Sequence, residues 1–395
     1  MENLTSGTSG LRLNCSTSGR HSFIFTFVPV VYGCTFVIGV VGNSMVVAVI
    51  YRYMKLKTVA NVFVLNLAVS DLTFVITLPM WATFTATGYH WPFGGFLCKA
   101  SAGLVIFNLY TSIFFLTALS IDRYLAIVHP VRSRRRRTLV YARLTCVLVW
   151  IFALLLSVPT AYTRDVFAIE NSNTMACGIW HRQEHVGLLV ALSLLKTVLG
   201  FLVPFLVIIT CYCLIGRTLL RGARAGRIQR STRSRDDEVL RMLAAAVLAF
   251  FVCWMPHQVF HFMDMLMMLG VVDDCRVVDI IDTAMPFTIC ISFSNSCINP
   301  LLYGFVGNNF RKNLLKLLRC QPTGNGNGAR VMMGGSSGGG GGGRPGNGHH
   351  HGHHHTSLSS KMSTLSYRAS EVLHFKSSKS KGSAAAATEA MSDVK

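Results

Sequence analysis

Four charged residues lie within long apolar stretches or at their ends, where an unpaired charge is costly. Asp71 and Lys196 each interrupt an otherwise uncharged run, and the neighbours Asp122 and Arg123 directly follow another. A carboxylate there can accept hydrogen bonds or pair with a cation, and an ammonium group can hold an anion. Each also has a structural alternative: Asp71 could be a hydrogen-bond acceptor, Lys196 a snorkelling side chain, and the Asp122-Arg123 pair an ordinary solvated helix end. The elements around them decide between these interpretations.

The composition predicts a membrane protein. Of the 395 residues, 51% are hydrophobic and only 14% are charged, whereas about 25% of a soluble protein is charged. The net charge of +20 could indicate nucleic-acid binding, but the Lys and Arg residues cluster between apolar runs, as topology signals do. We therefore expect no nucleic-acid partner. The sequence contains no nucleophile triad, phosphate-binding loop or metal-binding helix motif, so we expect no enzyme.

Seven apolar runs are each long enough to cross a bilayer as a helix, which takes about 20 residues. They predict an all-α bundle of seven transmembrane helices within residues 22–307. The runs cover residues 22–51, 58–89, 100–121, 144–163, 186–216, 242–263 and 283–310. Prolines in them predict kinks, because each removes a backbone donor: Pro79, Pro159, Pro204, Pro256 and Pro300. A transporter or channel is the rival class, since intramembrane charges can line a pathway, but we find no internal repeat.

Charge asymmetry predicts how the bundle is oriented. Arg and Lys are concentrated in the loops after the first, third and fifth runs, whereas the intervening loops carry most of the acids. The positive-inside rule then places the N-terminus outside and the C-terminus in the cytoplasm. Residues 1–21 are predicted to be a flexible outer tail, and two acceptor sequons within it, at Asn3 and Asn14, are candidate glycosylation sites.

The chain beyond the seventh run divides into two parts. Residues 308–320 alternate leucines with basic residues, which predicts a short amphipathic helix on the anionic lipids of the inner leaflet. Cys320 at its end is either a palmitoylation site or an unmodified thiol. Residues 321–395 are of low complexity and predicted to be disordered. Their histidine cluster at 349–355 could bind metal or be a tag, but we interpret it as a low-complexity expansion.

An ordered set of short motifs resembles the rhodopsin-like G-protein-coupled receptors. The motifs are Gly42-Asn43, Leu67-Ala68-Val69-Ser70-Asp71, Asp122-Arg123-Tyr124, Trp150, Cys253-Trp254-Met255-Pro256 and Asn299-Pro300-Leu301-Leu302-Tyr303. Further segments, at residues 53–60, 91–94, 282–286 and 361–368, are similar to the type-1 angiotensin II receptor subfamily. The Gly- and His-rich insertion is unlike the mammalian members and indicates a non-mammalian vertebrate relative.

This resemblance implies a function and a set of partners. It implies a plasma-membrane receptor for the peptide angiotensin II, coupled to a Gq-type G protein and calcium release, with arrestin and receptor kinases acting on the tail. A receptor for another peptide of the same branch, bradykinin-like or apelin-like, is the alternative. We expect a population shift, in which the peptide binds the open state more tightly than the closed one.

The resemblance also implies a ligand pocket near the outer face. Arg164 and Lys196 would favour a peptide carboxylate, because a guanidinium can grip it in a bidentate manner, and Asp264 and Asp282 would receive the basic end of the ligand. The alternative for each is a snorkelling charge at the end of a span. An aromatic and apolar floor is expected from Tyr32, Trp81, Val105, Trp254, His257, Gln258, Met285 and Ile289.

A switch region is implied nearer the inner face. Arg123 would pair with Asp122 at rest and be freed for the G protein when the sixth helix swings outward. Asn108 is expected to act as a conformational lock. The residues implied in activation and coupling are Asn108, Asp122, Arg123, Tyr124, Tyr212, Asn299, Pro300 and Tyr303.

An allosteric sodium ion is also implied by the resemblance. Its expected ligands are Asp71, Asn108, Ser112 and Asn295, with Asp71 as a purely structural acceptor in the alternative. Ser296 stands where related receptors carry an amide, which leaves the geometry open. Phe293 stands where the mammalian receptor carries a tyrosine, so a hydroxyl contact between the third and seventh helices is absent or replaced.

Two disulfide bonds are implied at the outer face. Cys98 would pair with Cys177, and Cys15 with Cys275, as an oxidising exterior permits. The sequence alone leaves other pairings open. The cysteines within the apolar runs are expected to behave as small hydrophobes.

Overall fold

A computed structural model describes residues 23–133, 137–169, 174–179, 186–224, 230–272 and 274–319. They all belong to the first of two units of the chain, Met1–Asn325. Several predictions lie outside the described residues and stay predictions: the outer tail 1–21 with Asn3, Asn14 and Cys15, the lipidation site Cys320, and the disordered tail 321–395.

The described part of the chain contains seven helical spans that are long and apolar enough to cross a membrane, which confirms the predicted seven-helix bundle. Spans 1 to 7 are Ile24–Met54, Val59–Ala86, Gly94–Val128, Leu139–Tyr162, Val186–Arg221, Val239–Met267 and Cys275–Phe305. The helices are α1 (Ile24–Val49), α2 (Val59–Val75), α3 (Leu78–Ala86), α4 (Gly94–Val128), α5 (Pro130–Ser133), α6 (Leu139–Tyr162), α7 (Val186–Thr197), α8 (Val203–Arg224), α9 (Arg230–Met268), α10 (Cys275–Val306) and α11 (Asn308–Leu318). Apolar side chains such as Leu148, Leu155 and Leu206 point outward, as expected of a surface that faces lipid.

Polar side chains and pairings set where some helices begin and end. Thr58 and Thr138 cap α2 and α6, because their hydroxyls accept a hydrogen bond from the backbone N–H three residues later. Helix α4 runs 35 residues to Val128, well past the predicted apolar run. The extension contains Asp122 and Arg123, whose side chains pair with each other within the helix.

Two of the predicted proline sites change the helix geometry. Span 2 breaks between Val75 and Leu78, and Pro79 lies in the first turn of α3, where its missing N–H is not needed. In span 5 a π-helical turn, Val198–Leu202, precedes Pro204. The wider turn relieves the clash that a proline ring makes with the carbonyl four residues earlier. Pro159, Pro256 and Pro300 lie inside continuous helices.

At Pro300 a neighbouring helix supplies the missing hydrogen-bond donor. Proline has no N–H to offer the carbonyl of Ser296, four residues earlier. The amide of Asn43 in α1 donates to that carbonyl at 2.9 Å and to the carbonyl of Gly39 at 2.9 Å. A Cβ atom at Gly42 would lie 2.9 Å from Pro300 Cβ, so glycine permits the close approach. The Gly42-Asn43 motif therefore fixes span 1 against span 7.

An antiparallel hairpin, which the sequence did not predict, lies between spans 4 and 5. Its strands are β1 (Arg164–Ala168) and β2 (Met175–Ile179), with Arg164 opposite Ile179. Cys177 in β2 is bonded to Cys98 in α4, which confirms that predicted disulfide. The hairpin is thereby fixed to span 3, and we call this end of the bundle the disulfide end.

Further contacts hold the hairpin in place. The backbone N–H of Trp91 donates to the carbonyl of Met175 at 2.7 Å, and Lys99 Nζ lies 3.2 Å from Asp165 Oδ2. Cys275, which begins α10, is also disulfide-bonded. Its predicted partner Cys15 lies outside the described residues, so that pairing stays a prediction.

Candidate ligand pocket and switch region

The apolar part of the predicted pocket is assembled from four helices at the disulfide end. Tyr32, Trp81, Val105 and Ile289 pack in one cluster with Phe74 and Phe293. Tyr32 and Phe293 have ring centroids 5.4 Å apart, and Phe74 meets Phe293 edge-on at 4.9 Å. Four of the eight residues predicted for the floor therefore share one aromatic layer between α1, α3, α4 and α10, whereas Trp254 packs in a separate core cluster.

The charged part of the predicted pocket is also brought together. Lys196 of α7 lies close enough to Arg164 and Asp264 to interact electrostatically with both. His257 and Trp254 of α9 have ring centroids 6.0 Å apart. Two cations and an acid from three elements thus share one region, which suits a ligand that carries both signs of charge.

His261 belongs to this region although the sequence reasoning missed it. Its ring stacks on that of His257, with centroids 5.9 Å apart and planes 8° from parallel. The spacing of four residues could have revealed it, because residues i and i+4 share a helix face. Two other predicted residues are less clearly placed: Met285 contacts Thr288 of its own helix, and Asp282 is half-buried on α10.

Several pocket residues carry buried polar atoms that have no hydrogen-bond partner among the described residues. The atoms are Trp81 Nε1, Arg164 Nε, Trp254 Nε1, His257 Nδ1, Gln258 Nε2 and Gln258 Oε1. Such groups are uncommon in folded proteins and call for a functional explanation. A polar ligand that supplied the missing partners would recover the free energy lost on their burial.

Arg164 itself shows how the hairpin prepares a binding group. The residue is half-buried, but its Nε atom is fully buried. Burial lowers the pKa of the Arg164 guanidinium, which nevertheless stays protonated because arginine starts from so high a value. The pKa of the neighbouring Asp165 is lowered by a hydrogen bond from the Val166 N–H and by Lys99. Asp165 is thereby a carboxylate engaged with Lys99 rather than with Arg164.

A hydrogen-bonded network surrounds Asp71 in the middle of the bundle. Its carboxylate is fully buried and accepts from Asn108 at 3.0 Å and from Asn299 at 3.1 Å. Ser296 donates to Asn108 Oδ1 at 3.3 Å, and the hydroxyls of Ser70 and Thr111 are hydrogen-bonded to each other. The contact between spans 3 and 7 therefore runs through Ser296, while Phe293 lies in the aromatic layer.

The donor set around Asp71 fits a hard cation. Ser112 Oγ, Asn295 Oδ1 and Asn299 Oδ1 are buried and have no partner within the described part of the chain. Together with the Asp71 carboxylate they offer only oxygen ligands, which hard cations prefer. Asp71, Ser112 and Asn295, three of the four residues predicted to hold sodium, are thus compatible with it. The fourth, Asn108, already accepts a hydrogen bond from Ser296 through its Oδ1, Asn299 was not predicted, and the ion stays a proposal.

At the opposite end of the bundle Asp122 is bonded to two arginines. Arg123 donates from Nε at 3.0 Å and also from Nη2 to Asp122 Oδ2. Arg137, in the connection to α6, donates from Nε to Oδ1 at 2.7 Å and from Nη2 to Oδ2 at 2.9 Å. In the sequence, Arg137 belongs to a run of basic residues that predicts the orientation of the bundle and no specific contact. We call this end of the bundle the arginine end.

Three predicted switch residues are tyrosines, and their hydroxyl groups have different surroundings. The hydroxyls of Tyr212 and Tyr303 are buried without a partner among the described residues. Tyr303 packs against Phe310 of α11, with centroids 6.2 Å apart. Tyr124 instead pairs with His129 at 3.2 Å. Helix α11 occupies the position predicted for the amphipathic helix, with Arg311 and its other basic residues exposed.

Comparison with known proteins defines the class first. Residues 42–303 match the family described as 7 transmembrane receptor (rhodopsin family), and the chain belongs to that family. It is a receptor of the plasma membrane that crosses the bilayer several times, and the prediction that it is not an enzyme is confirmed.

Its relatives then narrow the class. The chain is 51% identical to the type-1 angiotensin II receptor A of Xenopus laevis over 80% of its own length and 86% of that relative. It is 48% identical to the type-1 angiotensin II receptor of Sus scrofa over 91% of each chain. The chain is therefore a G-protein-coupled receptor of the angiotensin-receptor type, and the predicted likeness to non-mammalian members is confirmed.

Proposed function

We propose that the protein binds angiotensin II at the disulfide end and passes that event to a Gq-type G protein at the arginine end. The main support is a set of buried polar atoms without a partner among the described residues, on Trp81, Arg164, Trp254, His257 and Gln258. Of these residues, Arg164 lies near Lys196, which also lies near Asp264. A peptide has a carboxylate, basic groups and backbone amides, which match this mixture of cations, acid and neutral hydrogen-bonding groups.

The roles within the pocket follow from chemistry. Arg164 grips the peptide carboxylate through two parallel hydrogen bonds, and Lys196 adds a second positive charge. Asp264 and Asp282 receive the basic end of the peptide. The aromatic layer around Tyr32 accepts apolar side chains, since aromatic residues supply large buried areas in binding sites.

The disulfide end faces the outside in this proposal. An oxidising exterior maintains the Cys98–Cys177 bond. The arginine end, with Arg137 and the basic helix α11, faces the cytoplasm, as the positive-inside rule requires. Exposed basic residues of α11 contact anionic lipids there, and a palmitoyl group on Cys320 anchors the end of that helix.

Activation is a shift between two states of the bundle. Angiotensin II binds the open state more tightly, because a ligand with equal affinity for both states shifts neither. Release of Arg123 from Asp122 lets it enter the groove that receives the C-terminal helix of the G protein. Asn108 holds the closed state through Asp71 and Ser296, and sodium bound there supplies positive charge beside Asp71. Receptor kinases then phosphorylate the tail, and arrestin binds the phosphorylated tail.

Radioligand binding to Arg164→Ala tests the pocket. Removing one partner of a buried charged contact costs about 2–5 kcal/mol, so we expect at least a 30-fold loss of angiotensin II affinity. Arg276→Ala is the matched control, because Arg276 is an exposed arginine at the same end. Unchanged affinity in Arg164→Ala overturns the pocket. Failure of the wild type to bind angiotensin II, with binding of a bradykinin-like or apelin-like peptide instead, overturns the ligand assignment.

A further inference from the structure

The arrangement around Asp122 contains one more positive charge than the carboxylate can balance. Arg123 and Arg137 both contact it, and the side chains of Asp122, Arg123 and Arg137 are 5%, 10% and 25% exposed. The proposed switch, in which Arg123 leaves Asp122, accounts for the pairing of Arg123 with Asp122 at rest. It does not explain why a second arginine, from the connection to α6, reaches the same buried carboxylate.

The two arginines divide the carboxylate unequally. Both bonds from Arg123 end on Oδ2. Arg137 is bidentate, with Nε on Oδ1 at 2.7 Å and Nη2 on Oδ2 at 2.9 Å. If Arg123 departs, both carboxylate oxygens remain hydrogen-bonded to Arg137, whereas departure of Arg137 leaves Oδ1 without either guanidinium.

The geometry therefore points to Arg137 as the permanent counter-ion of Asp122. We propose that Arg137 keeps the carboxylate paired while Arg123 is released, and so makes that release easier. Removing one member of a buried ion pair leaves an uncompensated charge, which is strongly unfavourable, and Arg137 prevents this state. The consequence for signalling rests on the proposed function, in which Arg123 moves to the G protein. Arg137 is a positioning residue that acts through Asp122.

Thermal denaturation of the purified full-length receptor tests the charge arrangement without any ligand. Arg123→Ala and Arg137→Ala should each lower the melting temperature modestly, because one arginine remains on Asp122. The double variant should lower it by clearly more than the sum, since residues that share one partner are not additive. In an Asp122→Asn background this excess should vanish. Additive shifts in the presence of Asp122 overturn the proposal.

Nucleotide exchange on a purified G protein tests the functional consequence. Arg137→Ala should reduce agonist-stimulated exchange several-fold at equal receptor number, because Arg123 is then the one arginine among the described residues that still pairs with Asp122, and Arg137→Lys should recover part of it. The matched control is Arg143→Ala, an exposed arginine of α6. With Asp122→Asn, loss of Arg137 should have no further effect.

Two results in this assay overturn the inference. One is a rise in basal exchange in Arg137→Ala, which would make Arg137 part of the lock. The other is an equal loss in the Asp122→Asn background, which would mean that Arg137 contacts the G protein directly. A wild type that does not respond to angiotensin II overturns only the proposed function, because the melting experiment decides the role of Arg137 independently.

Discussion

Arg164 at the disulfide end and Asp122 at the arginine end differ in how their buried charged groups are paired. At the disulfide end, side chains such as Arg164, Trp254 and Gln258 bury polar atoms without a partner among the described residues. At the arginine end, Asp122 accepts hydrogen bonds from two arginines. An unpaired buried polar group costs about 1–3 kcal/mol, so the disulfide end gains from any ligand that pairs it. Asp122 at the arginine end can change partners only by losing contacts it already has.

The middle of the bundle combines both kinds of behaviour. Asp71 is hydrogen-bonded to Asn108 and Asn299, yet the oxygens of Ser112 and Asn295 beside it are buried and have no partner in the described part of the chain. This layer can therefore hold its present arrangement or accept an ion, and it separates the proposed binding end from the proposed switching end.

The largest effect is expected from breaking the anchor of the disulfide end. Cys98→Ser removes the bond that fixes Cys177 and the hairpin carrying Arg164. Loss of a native disulfide costs roughly 2–5 kcal/mol, and we expect specific binding of angiotensin II to be abolished. Cys34→Ser, at a free exposed cysteine, should leave binding unchanged. Wild-type affinity in Cys98→Ser would show that the hairpin needs no anchor.

The next effect concerns Lys196 and the peptide carboxylate. Lys196→Ala should lower the affinity for angiotensin II by roughly 10- to 100-fold, the range of a charged hydrogen bond. A peptide whose C-terminus is amidated should bind the wild type weakly and lose little more in Lys196→Ala. Competition binding measures all four combinations. Equal losses on both peptides would place the carboxylate away from Lys196.

A smaller effect on angiotensin II affinity is expected from sodium bound in the middle of the bundle. Sodium is expected to lower the affinity for angiotensin II by about 5-fold or more, a typical coupling between two sites. Asp71→Asn should remove this dependence, and Ser112→Ala should weaken it, in binding assays that compare sodium with a bulky organic cation. A sodium effect of the same size in Asp71→Asn would exclude Asp71 as a ligand of the ion.

Close packing between spans 1 and 7 should contribute a comparable or smaller amount. Gly42→Ala puts a methyl group against Pro300, and overpacking of this kind costs about 1–3 kcal/mol. Gly33→Ala in the same helix is the control, since nothing lies within 4 Å of its added Cβ. Thermal denaturation should show a lower melting temperature for Gly42→Ala only. Equal melting temperatures of both variants would mean that spans 1 and 7 move apart enough to accommodate the methyl group without loss of stability.

The smallest effect is expected at the exposed pair of Lys99 and Asp165, which are 43% and 49% exposed. Lys99→Ala should lower stability by less than about 1 kcal/mol. The pKa of Asp165 is lowered, first by the Val166 N–H and then by Lys99. The stabilisation is therefore present at neutral pH and lost as the pH falls through that lowered value. Melting temperatures at neutral and acidic pH should converge for the wild type and Lys99→Ala, and a growing difference in acid would reverse this sign.

The sequence predicted best what depends on local pattern. The apolar runs predicted the seven spans. The adjacent residues Asp122 and Arg123 predicted an ion pair, because residues next to each other in the sequence can pair without any contact between distant parts of the chain. Pro204 predicted an interruption, but the choice of a π-helical turn depends on how span 5 packs. The hairpin strands carry little alternation of their own and are held by Cys98 and Trp91.

Other features could not be predicted because they join distant parts of the chain. Arg137 is fifteen residues from Asp122, beyond the end of α4, so its basic charge was indistinguishable in the sequence from that of its neighbours. The contact of Ser296 with Asn108 spans 188 residues, and only packing of α10 against α4 creates it. Unpartnered polar atoms such as Gln258 Nε2 are visible only once every neighbour is placed.

The proposed function requires the two ends of the bundle to be energetically linked, and agonist affinity measures this linkage most directly. Binding of angiotensin II to receptor membranes should be compared with the G protein coupled and with it uncoupled by a non-hydrolysable guanine nucleotide. Because linkage is reciprocal, a G protein that favours the open state must tighten peptide binding, so uncoupling should lower the affinity. An affinity that is the same in both conditions would contradict the account.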